Sequence, residues 1–81
     1  MADVEKRVKE VVVRTLHVDL GRIVASAHFV RDLGATSIQS IELVAAFEEE
    51  FDIEMDEEEA LGVKTVGGAI EFITQALEDD E

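Results

Sequence analysis

Ser37 is the side chain in this sequence whose position best suits chemistry. It precedes an apolar stretch that runs to Phe51 and follows a loop containing Gly34, a residue that permits a tight turn. Thr36 and Gln39 have the spacing of a capping box, in which each side chain bonds to the backbone N–H of the other residue. Ser37 is then the first helical residue, at the positive end of the helix dipole, which stabilises an exposed phosphate by about 0.3–1 kcal/mol. The sequence allows two interpretations of Ser37: it is an ordinary residue at the start of a helix, or it is the residue to which a chemical group is attached.

An EF-hand calcium loop is a second interpretation, beginning at Asp52. Asp52, Glu54 and Asp56 alternate as the first three ligands of such a loop do. The sixth position is Glu57, where the loop requires glycine, and the twelfth is Val63, where it requires glutamate. We therefore predict no dedicated metal site and expect only loose binding of divalent cations to the many carboxylates.

Catalysis is not supported by the spacing of the reactive side chains. The segment around Ser37 lacks the G-x-S-x-G elbow of serine hydrolases, and His17 and His28 offer no catalytic triad. Both histidines are interpreted as solvated residues of a loop or a helix end. The carboxylates at 48–50 have nothing apolar predicted around them, so we interpret them as a solvated face rather than an acid–base pair. The chain is predicted not to be an enzyme.

Length and composition predict one small domain, spanning residues 1–81. A chain of 81 residues buries only about 60–65% of its unfolded surface, so its core is expected to be thin. Cysteine is absent, which excludes disulfides and thiolate metal sites. No apolar run approaches the ~20 residues of a membrane span, and residues 1–7 lack the apolar core of a signal peptide. We expect a cytoplasmic monomer that does not insert into membranes.

Acidic residues dominate the charge and cluster beyond Ser37. The net charge is −13, from 7 basic and 20 acidic side chains, which opposes binding to nucleic acid and to anionic membranes. Eleven acidic residues and no basic residue lie between Arg31 and Lys64. This distribution favours protein partners with basic patches and fast, salt-sensitive association with them.

Hydrophobic periodicity predicts an all-α fold, a small four-helix bundle with a long first loop and a short third helix. Helices are expected at 3–16, 37–51, 56–61 and 65–77, followed by a frayed acidic tail at 78–81. A strand is the alternative at 11–13, three consecutive valines, but the apolar stripe there favours a helix. The loop at 17–36 is long, so its scattered apolar side chains are expected to pin it to the core, with a short helical turn.

The predicted second helix has two apolar faces. Leu43, Phe47 and Phe51 recur every four residues and are expected to face the core. The neighbouring face carries Ile38, Ile41, Val44 and Ala45. This second face is either a docking surface or buried within the bundle, and the sequence leaves both open.

The segment around Ser37 resembles the acyl carrier protein family. Residues 32–38 read DLGATSI, followed by IEL at 41–43 and FEEEF at 47–51. The family's signature is D-L-G-x-D-S-L, leading into a helix of the form V-E-L-x-x-x-x-E-E-x-F. The resemblance extends over nearly the whole chain, since the family has four helices in the same order.

The resemblance implies a role for Ser37 and for the helix after it. In the family, the serine of D-S-L carries 4′-phosphopantetheine, taken from coenzyme A, through a phosphodiester, and the match places that group on Ser37. Acyl groups would then be carried as thioesters for fatty-acid, polyketide or other lipid-pathway enzymes. The expected partners are a phosphopantetheinyl transferase and acyl-transferring or acyl-modifying enzymes with basic patches. By position, the residues expected to contact partners are Ile38, Ile41, Glu42, Ala45, Glu48 and Glu49.

Two positions depart from the family's pattern. Thr36 stands where the family has aspartate, and Gln39 stands where an acidic residue is usual. Both changes remove negative charge beside Ser37, which predicts a specialised carrier dedicated to one pathway rather than a housekeeping one.

Two other functions and one question about cargo stay open. The chain is alternatively an aminoacyl or peptidyl carrier, or an unmodified acidic bundle that binds a basic partner. Small residues at 45–46 and 67–69 leave room for an acyl chain between the second and fourth helices, unless those helices pack closely without a cavity.

Overall fold

The fold is a bundle of four α-helices, which confirms the predicted all-α class. The computed structural model describes residues 2–79, and the side chains of residues 3–78. The helices are α1 (Ala2–Leu16), α2 (Ser37–Phe51), α3 (Glu57–Leu61) and α4 (Val66–Asp79). A turn of 3₁₀-helix (Leu20–Arg22) lies in the long connection between α1 and α2, as expected. α1 packs against both α2 and α4, and the short α3 packs against α2.

The valine-rich segment of α1 lies at the centre of the core. Its buried residues are Val4, Val8, Val11, Val12 and Leu16. Residues 11–13 lie within this helix, so the alternative of a strand there is wrong. Burying one such side chain contributes about 1.5–3 kcal/mol. That gain exceeds the ordinary helix-propensity cost of a valine, which is at most about 0.7 kcal/mol. Tertiary packing therefore determines the structure of this segment.

Glu50 ties α2 to α1, a contact that the sequence did not predict. Arg7 Nε donates to Glu50 Oε2 at 2.9 Å, and Arg14 Nη2 donates to Oε1 at 3.3 Å. Arg7 also donates to the Glu50 carbonyl and lies over the ring of Phe51, 4.5 Å from its centroid. The prediction of a solvated face at 48–50 is therefore wrong for Glu50, because two arginines of α1 reach its half-buried carboxylate. It is also wrong for Glu48, which is half-buried and whose carboxylate accepts from the Met55 N–H.

The ion pairs of Glu50 should make stability depend on pH. The hydrogen bond from Arg7 holds the pKa of Glu50 below its ordinary value; partial desolvation opposes this, and the charges of Arg7 and Arg14 reinforce it. A lowered folded-state pKa means that the stabilisation is present above the unfolded pKa of about 4.3 and is lost as pH falls through the folded-state pKa. We expect Glu50→Gln to lower the urea midpoint at neutral pH. The difference in midpoint between this variant and wild type should narrow as pH falls below the unfolded pKa.

Glu49→Gln is the matched control, because it makes the same charge change at an exposed neighbour. It should leave the pH dependence of the midpoint unchanged. If the difference in urea midpoint from wild type narrows equally for both variants as pH falls, the pH dependence comes from net charge and not from the contact between Glu50 and α1.

Apolar side chains anchor the long connection at 17–36, as the sequence predicted. Ile23, Phe29 and Leu33 are all buried in the core. The connection is also held by an isolated antiparallel bridge between His28 and Thr65, just before α4. It has two backbone hydrogen bonds, from the Phe29 N–H to the Lys64 carbonyl at 2.9 Å and from the Val66 N–H to the Ala27 carbonyl at 3.0 Å. The bridge joins the loop before α2 to the loop before α4.

α4 is longer than the sequence predicted. The helix was expected to end at residue 77, yet it continues through Asp79, so residues 78–79 are helical rather than a frayed tail. No glycine or proline follows Leu77, and nothing local therefore ends the helix there. Residues 80–81 of the predicted tail lie outside the described residues. The assignment of residues 1–81 to one domain stays a prediction.

Candidate functional site

Ser37 is the first residue of α2, and it is exposed. Thr36 is the N-cap: its hydroxyl accepts from the Gln39 N–H at 3.1 Å, and Gln39 Oε1 accepts from the Thr36 N–H at 3.0 Å. The capping box predicted from the sequence is confirmed. Thr36 fills the capping role, and the Ser37 hydroxyl has no hydrogen-bond partner among the side chains of residues 3–78.

The loop before Ser37 is fixed by Asp32 and Gly34. The His28 N–H donates to Asp32 Oδ2 at 2.8 Å, and this bond is the main cause that holds the pKa of Asp32 below its ordinary value. Gly34 has a φ of 76°, a left-handed conformation that glycine adopts without steric cost. The hydrogen bond to Asp32 and the turn at Gly34 together hold Ser37 at a defined position on the surface.

The start of α2 suits an anionic group on Ser37. The first N–H groups of a helix have no acceptor inside the helix. The Gln39 N–H is bonded by Thr36, which leaves those of Ser37 and Ile38 at the helix end. These groups and the helix dipole favour a phosphate there by about 0.3–1 kcal/mol at an exposed position. A phosphate ester on the Ser37 hydroxyl therefore needs no rearrangement of the helix.

Comparison with known proteins shows which protein family this chain belongs to. The family described as "Phosphopantetheine attachment site" matches residues 6–73. Over 75 residues the chain is 45% identical to an acyl carrier protein of Caulobacter vibrioides (strain NA1000 / CB15N), covering 93% of this chain and 96% of that protein. The chain belongs to the acyl carrier protein family.

Membership of the acyl carrier protein family establishes several properties. The protein is a carrier and not an enzyme, and its prosthetic group is 4′-phosphopantetheine. It interacts with a phosphopantetheinyl transferase and with acyl-handling enzymes. The exposed hydroxyl of Ser37 and the N–H groups beside it fit the phosphate of such a group. When bound, the group supplies the thiol that a chain without cysteine lacks.

An apolar cavity of about 260 Å³ lies between α2, α3 and α4. Ser40, one helical turn after Ser37, is among the residues that line it, together with Leu43, Phe47 and Ile73. An engineered protein cavity of ~150 Å³ holds benzene, so in proportion this cavity holds about ten carbon atoms. The carrier therefore has room for an alkyl chain close to Ser37.

The cavity does not arise from the small residues that were expected to form it. Of the residues at 45–46 and 67–69, only Ala69 lines it. Gly67 instead permits a backbone contact: its N–H donates to the Ala25 carbonyl at 2.8 Å, and a Cβ there would lie 3.0 Å from that oxygen. Close packing without a cavity is nevertheless wrong, because space remains between large side chains that include Phe47 and Phe72.

Five of the six residues predicted to contact partners are exposed on α2. We call these five residues the docking face, after the prediction that they contact partners: Ile38, Ile41, Glu42, Ala45 and Glu49. Ile38 is 71% exposed and Ile41 is 48% exposed, so burial of the second apolar face within the bundle is wrong for these residues. Val44 of the same face is half-buried and lines the cavity. Glu48 differs from the docking face, because it is half-buried and its Oε2 accepts from the Met55 N–H at 2.8 Å. Its carboxylate holds the connection between α2 and α3.

Sequence periodicity did not reveal the polar residues beside the cavity. His28, Arg31 and Lys64 all line it. They come from two loops far apart in the chain, which the bridge between residues 28 and 65 joins. No local spacing links them, so no sequence signal marks them as neighbours.

Neither a membrane-spanning helix nor a group of metal ligands is found among the described residues. Within residues 2–79, no helix combines the length and the apolar character needed to cross a bilayer. No three histidine or acidic side chains in that range converge on a common metal position.

Proposed function

We propose that this protein carries acyl intermediates as thioesters on 4′-phosphopantetheine attached to Ser37, and presents them to fatty-acid, polyketide or other lipid-pathway enzymes. The observation that carries the proposal is the position of Ser37: exposed, first in α2, released from capping, and one turn from an apolar cavity. The family match supports it, because residues 6–73 include Ser37. Basic patches on the partners would pair with Glu42 and Glu49 of the docking face.

The test is chemical and uses the unmodified protein. Incubation with coenzyme A and a broad-specificity phosphopantetheinyl transferase should add a single phosphopantetheinyl group, seen by intact mass. The loaded protein should then accept an acyl group that hydroxylamine removes, as expected of a thioester. If several transferases add nothing, the alternative of an unmodified acidic bundle replaces this proposal. Loading by an amino-acid-activating enzyme instead of an acyl-activating one would favour the aminoacyl or peptidyl carrier.

The acyl chain is proposed to enter the cavity between α2, α3 and α4. Burial of the chain stabilises only the folded state, so an octanoyl form should melt above the unacylated holo form. A gain of about 1 kcal/mol shifts the melting temperature of a domain this size by about 4–8 °C. Ala69→Leu places a larger side chain in the cavity and should remove most of the difference, as measured by circular dichroism.

Ala45→Leu is the control for cavity filling, because Ala45 is exposed on the docking face. It should preserve the difference in melting temperature between the octanoyl and holo forms. Equal melting of both forms in wild type would mean that the acyl chain lies outside the bundle.

We further propose that the carrier serves specialised partners, because Thr36 and Gln39 leave the surroundings of Ser37 with less negative charge than the family's pattern has. Thr36→Asp with Gln39→Glu adds two charges and keeps the capping box, since aspartate caps and glutamate reaches back as glutamine does. Loading by a generic transferase should accelerate about three- to tenfold, the range for two exposed ion pairs. The measurement is the initial rate of the mass increase.

Gln75→Glu serves as the control, because it adds a charge at an exposed position on α4. It should leave the loading rate unchanged. Identical rates for wild type and the double variant would remove the argument for specialised partners. The monomeric state and the cytoplasmic location stay predictions.

A further inference from the structure

The cavity between α2, α3 and α4 has a charge opposite to that of the whole chain. The protein has 20 acidic and 7 basic side chains, yet among the described residues no aspartate or glutamate lines the cavity. Arg31 and Lys64 line it instead. Both are exposed, and neither forms an ion pair with another side chain of residues 3–78, although the charge of Arg31 helps to lower the pKa of the neighbouring Asp32. The cavity thus has two cations beside an apolar interior.

The backbone brings together, beside the cavity, the two segments that carry these cations. The hydrogen bond from the Phe29 N–H to the Lys64 carbonyl, 2.9 Å long, joins the segment that carries Arg31 to the one that carries Lys64. His28 also lines the cavity, but its imidazole already faces Asp32, with 3.4 Å between Nδ1 and Oδ2. We call Arg31 and Lys64 the cationic edge.

This combination fits an amphipathic anion. An alkyl chain gains about 0.8 kcal/mol for each methylene group that it buries, and Leu43, Phe47 and Ile73 offer it an apolar lining. A carboxylate at its end matches the planar donors of a guanidinium and the charge of an ammonium group. A neutral alkane would leave the cationic edge unused, and a hydrophilic anion would leave the apolar lining unused.

We propose that the protein binds free medium-chain fatty acids non-covalently, with the alkyl chain in the cavity and the carboxylate at Arg31 and Lys64. This function requires neither Ser37 nor the prosthetic group, and it is therefore separate from carriage of a thioester. A free acid in the cavity occupies the volume that an attached acyl chain would use, so the two ligands exclude each other.

The experiment uses Ser37→Ala protein, which has no hydroxyl at the attachment position. Octanoate is titrated into it while the amide signals of Ala69 and Ile73 are followed by NMR, and 1-octanol provides an uncharged chain of equal length. Both ligands should shift these signals saturably. Adding Arg31→Gln and Lys64→Gln should weaken octanoate binding about three- to tenfold, as expected for two exposed ion pairs, and leave 1-octanol binding unchanged.

Lys6→Gln with Lys9→Gln is the matched control, since it removes two positive charges from α1, away from the cavity. It should weaken octanoate binding by less than twofold. Three results would overturn the proposal: no saturable shift at Ala69 and Ile73, equal weakening of octanoate and 1-octanol by the edge variant, or equal weakening of octanoate by the control pair. Each leaves the proposed role of Ser37 unaffected, because Ser37 is absent from every sample.

Discussion

Ser37→Ala should abolish attachment of 4′-phosphopantetheine while the fold stays unchanged. Alanine has no oxygen to form the phosphate ester, so the expected loss is complete. The folding cost is small because Thr36, not Ser37, caps α2, and substitutions at such exposed positions usually change stability by less than about 0.5 kcal/mol. Intact mass after incubation with coenzyme A and a transferase should show one added group on wild type and none on the variant.

Ser40→Ala is the matched control, one turn further along α2. The Ser40 hydroxyl donates to the carbonyl of Thr36 at 3.1 Å, so it is already committed within the helix. This variant should be loaded at the wild-type rate. Loading of Ser37→Ala, or failure to load Ser40→Ala, would contradict the assignment of the arm to Ser37.

Ile73→Ala should destabilise the fold by about 2–5 kcal/mol, the cost of truncating a fully buried isoleucine. Ile73 of α4 is 0% exposed and belongs to the core. A domain of this size has a total stability of about 4–12 kcal/mol, so the variant loses a large share of it. Its melting temperature, followed by circular dichroism, should fall by more than about 8 °C.

Ile38→Ala removes the same atoms from an isoleucine that is 71% exposed. Its melting temperature should stay within a few degrees of wild type, while its association with the transferase should weaken because Ile38 belongs to the docking face. Ile73→Val, which removes one methyl group, should cost about 0.5–1.5 kcal/mol. Equal destabilisation by the two alanine variants would mean that Ile38 is buried in solution.

The elements near Ser37 were predictable because their determinants are local. The capping box occupies four consecutive residues, and the apolar spacing of Leu43, Phe47 and Phe51 defines the buried face of α2 within that helix alone. Both features are present in the structure as predicted. The family resemblance depended on the same short segment, which explains why the carrier function was accessible from the sequence.

Contacts between distant segments were not predictable in this way. The sequence predicted a solvated Glu50 because Arg7, the residue that donates a hydrogen bond to its carboxylate, lies 43 positions away. The cationic edge depends on a backbone bridge between two loops without periodicity. The cavity exists because the large side chains of three helices do not completely fill the space between them. The positions of small residues in the sequence do not predict the volume of that space. These features follow from the assembled bundle.

The capping role of Thr36 has a consequence for the turnover of the protein. Since the side chain of Ser37 does not cap α2, attaching a phosphate ester is expected to change the folding equilibrium by no more than about 1 kcal/mol. Proteases that cleave transiently unfolded chains would then degrade the arm-bearing carrier at most about fivefold more slowly than the empty one. Cargo buried in the cavity adds its own stabilisation, so the lifetime of the chain should increase in the order empty, arm-bearing and acylated.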